Sequence, residues 1–297
     1  MKNLFRLIVL SLVAAFIFTG CENNNKNTGT LNLSITDAPV DLSEVAGIWL
    51  TITEIQYHMN DSEWMTFEEF EGPQMFNILE LTNGESALLG SFEMEAGIYT
   101  QLRFLLDAPE SGSPDMGNPG CYIEYKDETE EPLFIPSGGE SGWKAVGQFV
   151  VPSNGDVSVT ADFNARKSVF KTGADRHTLK PTIRLIIDDQ AGQIAGGITN
   201  IPEGVDIVVF AYEDGTYTVE EADDPADEET PRFPNAVTSS MVCDTDCYHL
   251  SFLAPMTYDL VVTSYIDGEF QEVLGIIEDV VVESRKTTNM PIDISAL

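Results

Sequence analysis

The residues able to do chemistry are few and scattered. Four cysteines stand at positions 21, 121, 243 and 247, and three histidines at 58, 177 and 249. Nucleophilic catalysis needs a thiol or hydroxyl beside an oriented base, and His58, His177 and His249 occur in no such pattern. The sequence has no Gly-x-Ser-x-Gly, His-Glu-x-x-His, Gly-Lys-Ser/Thr or Gly-x-Gly-x-x-Gly motif, so the hydrolase, zincin and nucleotide-binding readings lack their physical parts. Asp and Glu number 49, so a glycosidase pair could be composed from many of them, and abundance argues for none. Cys243, Cys247 and His249 lack a fourth ligand and a zinc spacing. The expectation is no catalytic residue, no metal and no cofactor.

Two arginines are more informative, because the chain has only 15 Lys and Arg in all. Arg103 and Arg184 each sit inside an apolar run, Leu102-Arg103-Phe104 and Ile183-Arg184-Leu185. Both are expected to pair with a carboxylate such as Asp37 or Asp162, which a guanidinium fork can accept bidentately. Capture of an anionic ligand is the competing reading, opposed by the surrounding negative field. Aromatic faces suit the apolar side of a sugar ring. Trp64 and Trp143 lie in polar, turn-like contexts and, with Tyr57, are the candidate glycan contacts; Trp49 is assigned to the core.

The cysteines carry an address. Lys2 and Arg6 precede an apolar run from Leu7 to Phe18, and Phe18-Thr19-Gly20-Cys21 closes it. The segment resembles a bacterial lipoprotein signal, which implies that residues 1–21 are a signal peptide and that Cys21 carries the acyl anchor. A spanning helix would need about 20 apolar residues, more than this run holds. Residues 22–29 read as a flexible tether. Glu22 stands where an inner-membrane retention signal would carry Asp, so the expected location is the outer membrane or cell surface of a Gram-negative bacterium. With Cys21 lipidated, three cysteines remain in an oxidising space and one is left over. Cys243 and Cys247 could close on each other if Asp244-Thr245-Asp246 makes a tight turn; pairing of Cys121 across domains is the other option.

The net charge of −34 excludes direct nucleic-acid binding, and 43% hydrophobic residues exclude a disordered chain. Such a surface repels anionic lipid head groups, so the acyl chains alone would hold the protein to the membrane.

The elements that must position these residues repeat with period two. Leu31, Leu33 and Ile35 alternate with polar residues, as do Val157, Val159, Ala161 and Phe163. Further runs at Gly47–His58, Ile98–Leu106, Cys121–Tyr125, Phe149–Val151 and Thr182–Ile187 are bounded by turn residues such as Asn83-Gly84 and Asn154-Gly155. Helix is confined to short pieces near Phe76–Leu81 or Leu42–Ala46. After Asp188-Asp189-Gln190-Ala191-Gly192 the strand rhythm restarts. The expected fold is all-β, with one β-sandwich over 30–188 and a second over 190–297. Glu220–Glu229 is acidic at seven of ten positions and reads as a solvated, mobile loop without the spacing of a calcium loop.

Three segments resemble the DUF4382 family of bacterial lipoproteins: Thr36-Asp37-Ala38-Pro39, Glu95 to Arg103, and Asp162-Phe163-Asn164-Ala165 continuing through Leu179 to Arg184. The resemblance frames residues 28–188 and implies a secreted β-rich fold without an established activity. The segments Gly192–Ile198, Val205–Tyr212 and Tyr248–Val262 are similar to the carboxypeptidase regulatory-like, or transthyretin-like, sandwich. That likeness implies a carbohydrate-binding-like fold; sugar binding follows from it only by analogy. The expected function is a non-enzymatic, lipid-anchored binding or adhesive role, with a polysaccharide or another envelope protein as partner. A structural accessory subunit is the alternative, and a glycan hydrolase a more distant one.

Overall fold

The computed structural model describes residues 27–38, 45–59, 63–108, 120–135, 142–172, 176–180, 182–227 and 230–297. Cys21 and the segment expected to be a signal peptide lie outside the described residues. The chain is all-β. Its first strands are β1 (Thr28–Asp37), β2 (Val45–His58), β3 (Met65–Thr66), β4 (Gln74–Asn77), β5 (Ala87–Glu95), β6 (Gly97–Leu106) and β7 (Tyr122–Tyr125). They continue as β8 (Glu130–Phe134), β9 (Trp143–Val151), β10 (Asp156–Phe163), β11 (Val169–Thr172), β12 (Arg176–Leu179) and β13 (Ile183–Ile187). One helical turn, α1 (Ala165–Ser168), interrupts them after β10. The segment expected to be helical near Phe76–Leu81 holds only a 3-10 turn at Ile78–Glu80, and Val45–Ala46 belongs to β2.

These thirteen strands form one hydrogen-bonded sheet in the order β11-β12-β8-β7-β2-β6-β9-β13-β10-β1-β5, with β3 and β4 added to β2. β1 runs parallel to β10, from Thr30 opposite Asp156 to Asp37 opposite Phe163. The reason is visible in the alternation: Leu31, Leu33 and Ile35 are fully buried while Thr30, Asn32 and Ser34 are only partly so. Burying each such side chain is worth about 1.5–3 kcal/mol, so the strand cannot slip by one residue without exposing the whole row. The sheet curls around a single core. Phe92 of β5, at one end of the strand order, stacks on Phe67 beside β3 with ring centroids 4.3 Å apart. The tether ends sooner than expected, because Thr28 already pairs with Glu95.

The remaining strands are β14 (Gly192–Thr199), β15 (Asp206–Glu213), β16 (Thr238–Met241), β17 (Cys247–Leu253), β18 (Thr257–Ile266), β19 (Glu269–Val281), β20 (Thr287–Asn289) and β21 (Ile292–Asp293). Among the described residues they pair only with one another, as β17-β14-β20 with β21 on β14, and as β16-β15-β18-β19. Ile194, Val209, Leu250 and Leu260 fill the space between the two sheets. β15 is buried along both faces, which explains its unbroken apolar run. Its second face carries Val208 and Phe210 and is covered by Phe233 and Ala236.

That cover corrects one part of the expected solvated acidic loop, whose Glu220, Asp223, Asp224 and Asp227 are exposed. The segment before Phe233 folds back on β15: Glu221 is buried and accepts hydrogen bonds from the Tyr212 hydroxyl (3.0 Å) and from the backbone N–H (3.0 Å) and side-chain amide (3.1 Å) of Asn235. Arg232 pairs with Asp224 at 2.6 Å. Enough donors converge on the acids to hold part of the run against the sheet. Among the described residues no helix is long and apolar enough to cross a membrane.

Candidate functional site

Adjacent strands set the outward rows of the large sheet. β6 lies between β2 and β9, with Gln56 opposite Arg103 and Arg103 opposite Lys144. Residues directly opposite share a face, so these three project together. Period two along β9 sends Trp143 and Ala145 to the core and Lys144 and Val146 to solvent.

Arg103 therefore does not reach Asp37 or Asp162, and the expected ion pair is absent. Its guanidinium lies 3.9 Å from the ring centroid of Trp64, with the Lys144 ammonium 5.9 Å from the same ring. Among the described residues Arg103 donates a 3.3 Å hydrogen bond from Nη1 to Gln56 Oε1, and Gln56 in turn donates to Glu54 at 2.6 Å. Arg103 Nε is buried without a partner. Among the described residues neither Arg103 nor Lys144 makes an ion pair with a carboxylate. A guanidinium stacked on an indole keeps its edge N–H groups free, and this one sits in a chain rich in acids.

The glycan contacts expected from the sequence do not assemble. Trp143 is 3% exposed and packs against Phe163 at 5.2 Å, because its strand parity points it inward. Tyr57 also faces inward, 4.6 Å from Phe67 and 5.7 Å from Tyr99. Only Trp64 remains at the surface, and Arg103 covers one of its faces. Trp49, assigned to the core, is half-buried instead; it stacks on Tyr122 and donates to Glu124 at 2.7 Å.

Arg184 behaves differently. It lies opposite Asp162 on β10 and donates to Asp162 Oδ2 at 2.6 Å through Nη2 and 3.2 Å through Nε. Asp37, at the end of β1, accepts the Ala165 backbone N–H at 2.9 Å. Burial, with the charge of Asp162 as a lesser cause, pushes the Asp37 carboxyl well above the usual carboxylate range.

Two contacts that no local pattern reveals hold this end of the sheet against the second set of strands. Arg166 on α1 donates to the backbone carbonyls of Arg232 (2.6 Å) and Phe233 (2.9 Å), and its guanidinium lies 5.3 Å from the Phe210 ring centroid. Burial pushes it down to about 10, and the neighbouring Lys167 down to about 8. The Asn83-Gly84 turn docks on β16 and β17: Ser240 donates to Asn83 Oδ1 at 3.0 Å, and His249 Nδ1 lies 2.8 Å from the Asn83 carbonyl oxygen. Nε2 of His249 lies 2.8 Å from Gln193 Oε1.

Cys243 and Cys247 are joined as a disulfide with Cα atoms 5.3 Å apart. The turn between them closes because Asp246 adopts φ 56° and its N–H reaches the Cys243 carbonyl. Cys121 is free and buried.

The residues matched by a family model complete the picture. The model of a domain of unknown function, DUF4382, covers residues 28–181, from the start of β1 to just before β13. The chain belongs to the DUF4382 family. No curated protein matches it. Similar solved structures include the minor pilin GBS52 of Streptococcus agalactiae, at 13% identity and TM-score 0.23 over 88% of this chain and 94% of that one. The Bacillus anthracis TIE protein is 11% identical, with TM-score 0.20 over 89% of this chain and 34% of that one. The shaft pilin SpaA of Lactobacillus rhamnosus GG is 8% identical, with TM-score 0.22 over 90% and 97%. Scores this low leave the function of the DUF4382 chain to its own residues.

Proposed function

We propose that this DUF4382 protein is a non-enzymatic binding protein of the bacterial envelope. It is held by an acyl anchor at Cys21 on the outer membrane or cell surface, and built of a DUF4382 module followed by a smaller β-sandwich module. Its recognition surface is the outward face formed by Trp64, Arg103 and Lys144, and its ligand is an acidic polysaccharide.

One observation carries the ligand class. In a chain with 15 bases against 49 acids, two cations stand side by side on one sheet face, and among the described residues neither is spent on a carboxylate. Two such donors on neighbouring strands can clasp the carboxylate or sulfate of a sugar polymer, with the guanidinium supplying the fork and the ammonium a point charge. Gln56 and Gln101 on the same face add amide groups suited to hydroxyls. The overall negative field makes binding depend on short-range contact, which disfavours indiscriminate capture of anions.

The test is co-sedimentation of the full chain, kept in mild detergent, with insoluble acidic and neutral polysaccharides. The acidic polymer should retain the protein and the neutral one should not. Replacing both Arg103 and Lys144 by Gln should weaken retention roughly tenfold or more, the worth of one or two charge-assisted hydrogen bonds. Equal retention by acidic and neutral polymers, or by the double variant, would refute the assignment.

A further inference from the structure

A pocket of about 330 Å³ opens where the Asn83-Gly84 turn meets β14 and β17. That is the small end of the range for ligand pockets, about 300 to 1,000 Å³. Phe252 lines it, with Asp188 from the turn between β13 and β14 and with Arg285 and Lys286 from the turn before β20. An irregularity in the strands shapes the wall: Gly192 pairs with Leu253 and Ile194 with Leu250, so Gln193 faces two residues, Ser251 and Phe252. Such a bulge re-aims a side chain.

Phe252 is the outlier in that wall. Its φ of 55° lies in the left-handed region, which a bulky side chain enters only under strain. Packing does not account for it, because Phe252 is half-buried and lies outside the three apolar cores. A glycine would hold the same bulge without strain. Strain kept where the fold does not need it marks a functional position, and the pocket is what this residue adjoins.

The polar groups around Phe252 narrow the occupant. Asp188 is an acceptor, oriented by the Thr160 hydroxyl, which donates to its Oδ1 at 2.8 Å. Arg285 and Lys286 are donors, the first paired with Asp189 at 2.7 Å and the second with Glu283. An anion would meet three acids, Asp188, Asp189 and Glu283, against two bases, and an amine would meet two cations. An apolar ligand would strip water from these charges and give nothing back. A sugar meets every demand, since each hydroxyl both donates and accepts and one face of the ring is apolar enough to lie on an aromatic side chain. We propose that this pocket binds one neutral hexose ring against Phe252, with its hydroxyls shared among Asp188, Arg285 and Lys286. For a ligand of that size the affinity is about millimolar.

The site is separate from the Arg103 and Lys144 face and takes an uncharged ligand. The experiment is saturation-transfer NMR with calorimetric titration of the full chain, in a detergent that carries no sugar. The probes are methyl glucoside, methyl galactoside and methyl mannoside, with glucuronic acid as the charged comparison and sorbitol as the polyol without a ring. At least one hexoside should bind with a Kd of about 1–10 mM, and glucuronic acid and sorbitol roughly tenfold or more weakly. Phe252→Gly should keep or raise Tm, because its backbone suits glycine, while weakening hexoside binding roughly tenfold or more. Lys286→Gln, at an exposed position, should leave Tm where it is and weaken binding several-fold. The proposal is overturned if no hexoside binds, if glucuronic acid or sorbitol binds as tightly as the best hexoside, or if both variants bind like the wild type. A soluble tetrasaccharide of the bound hexose should compete if the natural source is a glycan end and not if it is the free sugar; either result upholds the site. Millimolar binding is too weak to retain the chain on a washed neutral polymer, so this test and the acidic-polysaccharide test fail independently.

Discussion

The guanidinium of Arg103 lies over the indole of Trp64, 3.9 Å from its ring centroid. The contact brings together residues on β6 and in the hairpin between β2 and β3, and it turns an arginine expected to be neutralised into one presented to solvent. Replacing Arg103 with Gln should cost about 0.5–1 kcal/mol of stability, the worth of an exposed cation–π pair. It should also change the Trp64 contribution to fluorescence. A loss above about 3 kcal/mol in urea unfolding would instead make Arg103 a structural keystone.

Asp37 supplies a pH prediction. Its folded carboxyl holds its proton to a higher pH than the unfolded one, because burial penalises the charge. The native state then binds more protons than the unfolded state above the ordinary carboxylate range, so stability falls as pH rises through that window. Asp37→Asn removes the titration. The variant should equal or exceed the wild type at neutral pH, with its advantage shrinking towards pH 4. Urea midpoints at several pH values check both the sign and the trend.

The guanidinium of Arg166 is buried beside Phe210 and donates to carbonyls of the segment that covers β15. Arg166→Met keeps the apolar stem and leaves the Arg232 and Phe233 carbonyls without their donor. The expected loss is about 1–3 kcal/mol, moderated because two of the guanidinium nitrogens are themselves unpartnered. Limited proteolysis should show faster cleavage near Glu220–Phe233 in the variant. An unchanged cleavage rate and urea midpoint would contradict this role.

The cysteines give a labelling test. Burial pushes the Cys121 thiol up to about 12 and hides it from solvent. With Cys21 acylated, the native protein should take up no maleimide before reduction and two equivalents after it, at the half-buried Cys243 and the exposed Cys247. Reducing so short a loop should cost about 2 kcal/mol or less in the loop-entropy model.

Much of the fold is legible in the residues themselves. Alternation marks β1, β2, β6 and β10 because side chains on a strand must face opposite ways, and turn residues delimit them. β3, β4, β8 and β11 carry too few residues to show a period, and most of β19 escapes because it is an exposed edge strand with little apolar contrast. Parity along β9 would have placed Trp143 inside had the strand been traced back from Phe149.

What the chain's local chemistry determines by itself is the all-β class, the family motifs and the shortage of bases that makes every arginine informative. Only the tertiary structure decides which arginine meets an acid. Arg103 and Arg184 occupy equivalent apolar contexts, yet strand order puts Asp162 opposite Arg184 and Lys144 opposite Arg103. The same holds for the narrow cleft between β1, β16 and β17, whose walls come from residues up to 216 positions apart, Thr36 and Phe252. Partnership across a sheet depends on register between distant strands, and register is set by burial of the whole core, a cooperative quantity that no single segment contains.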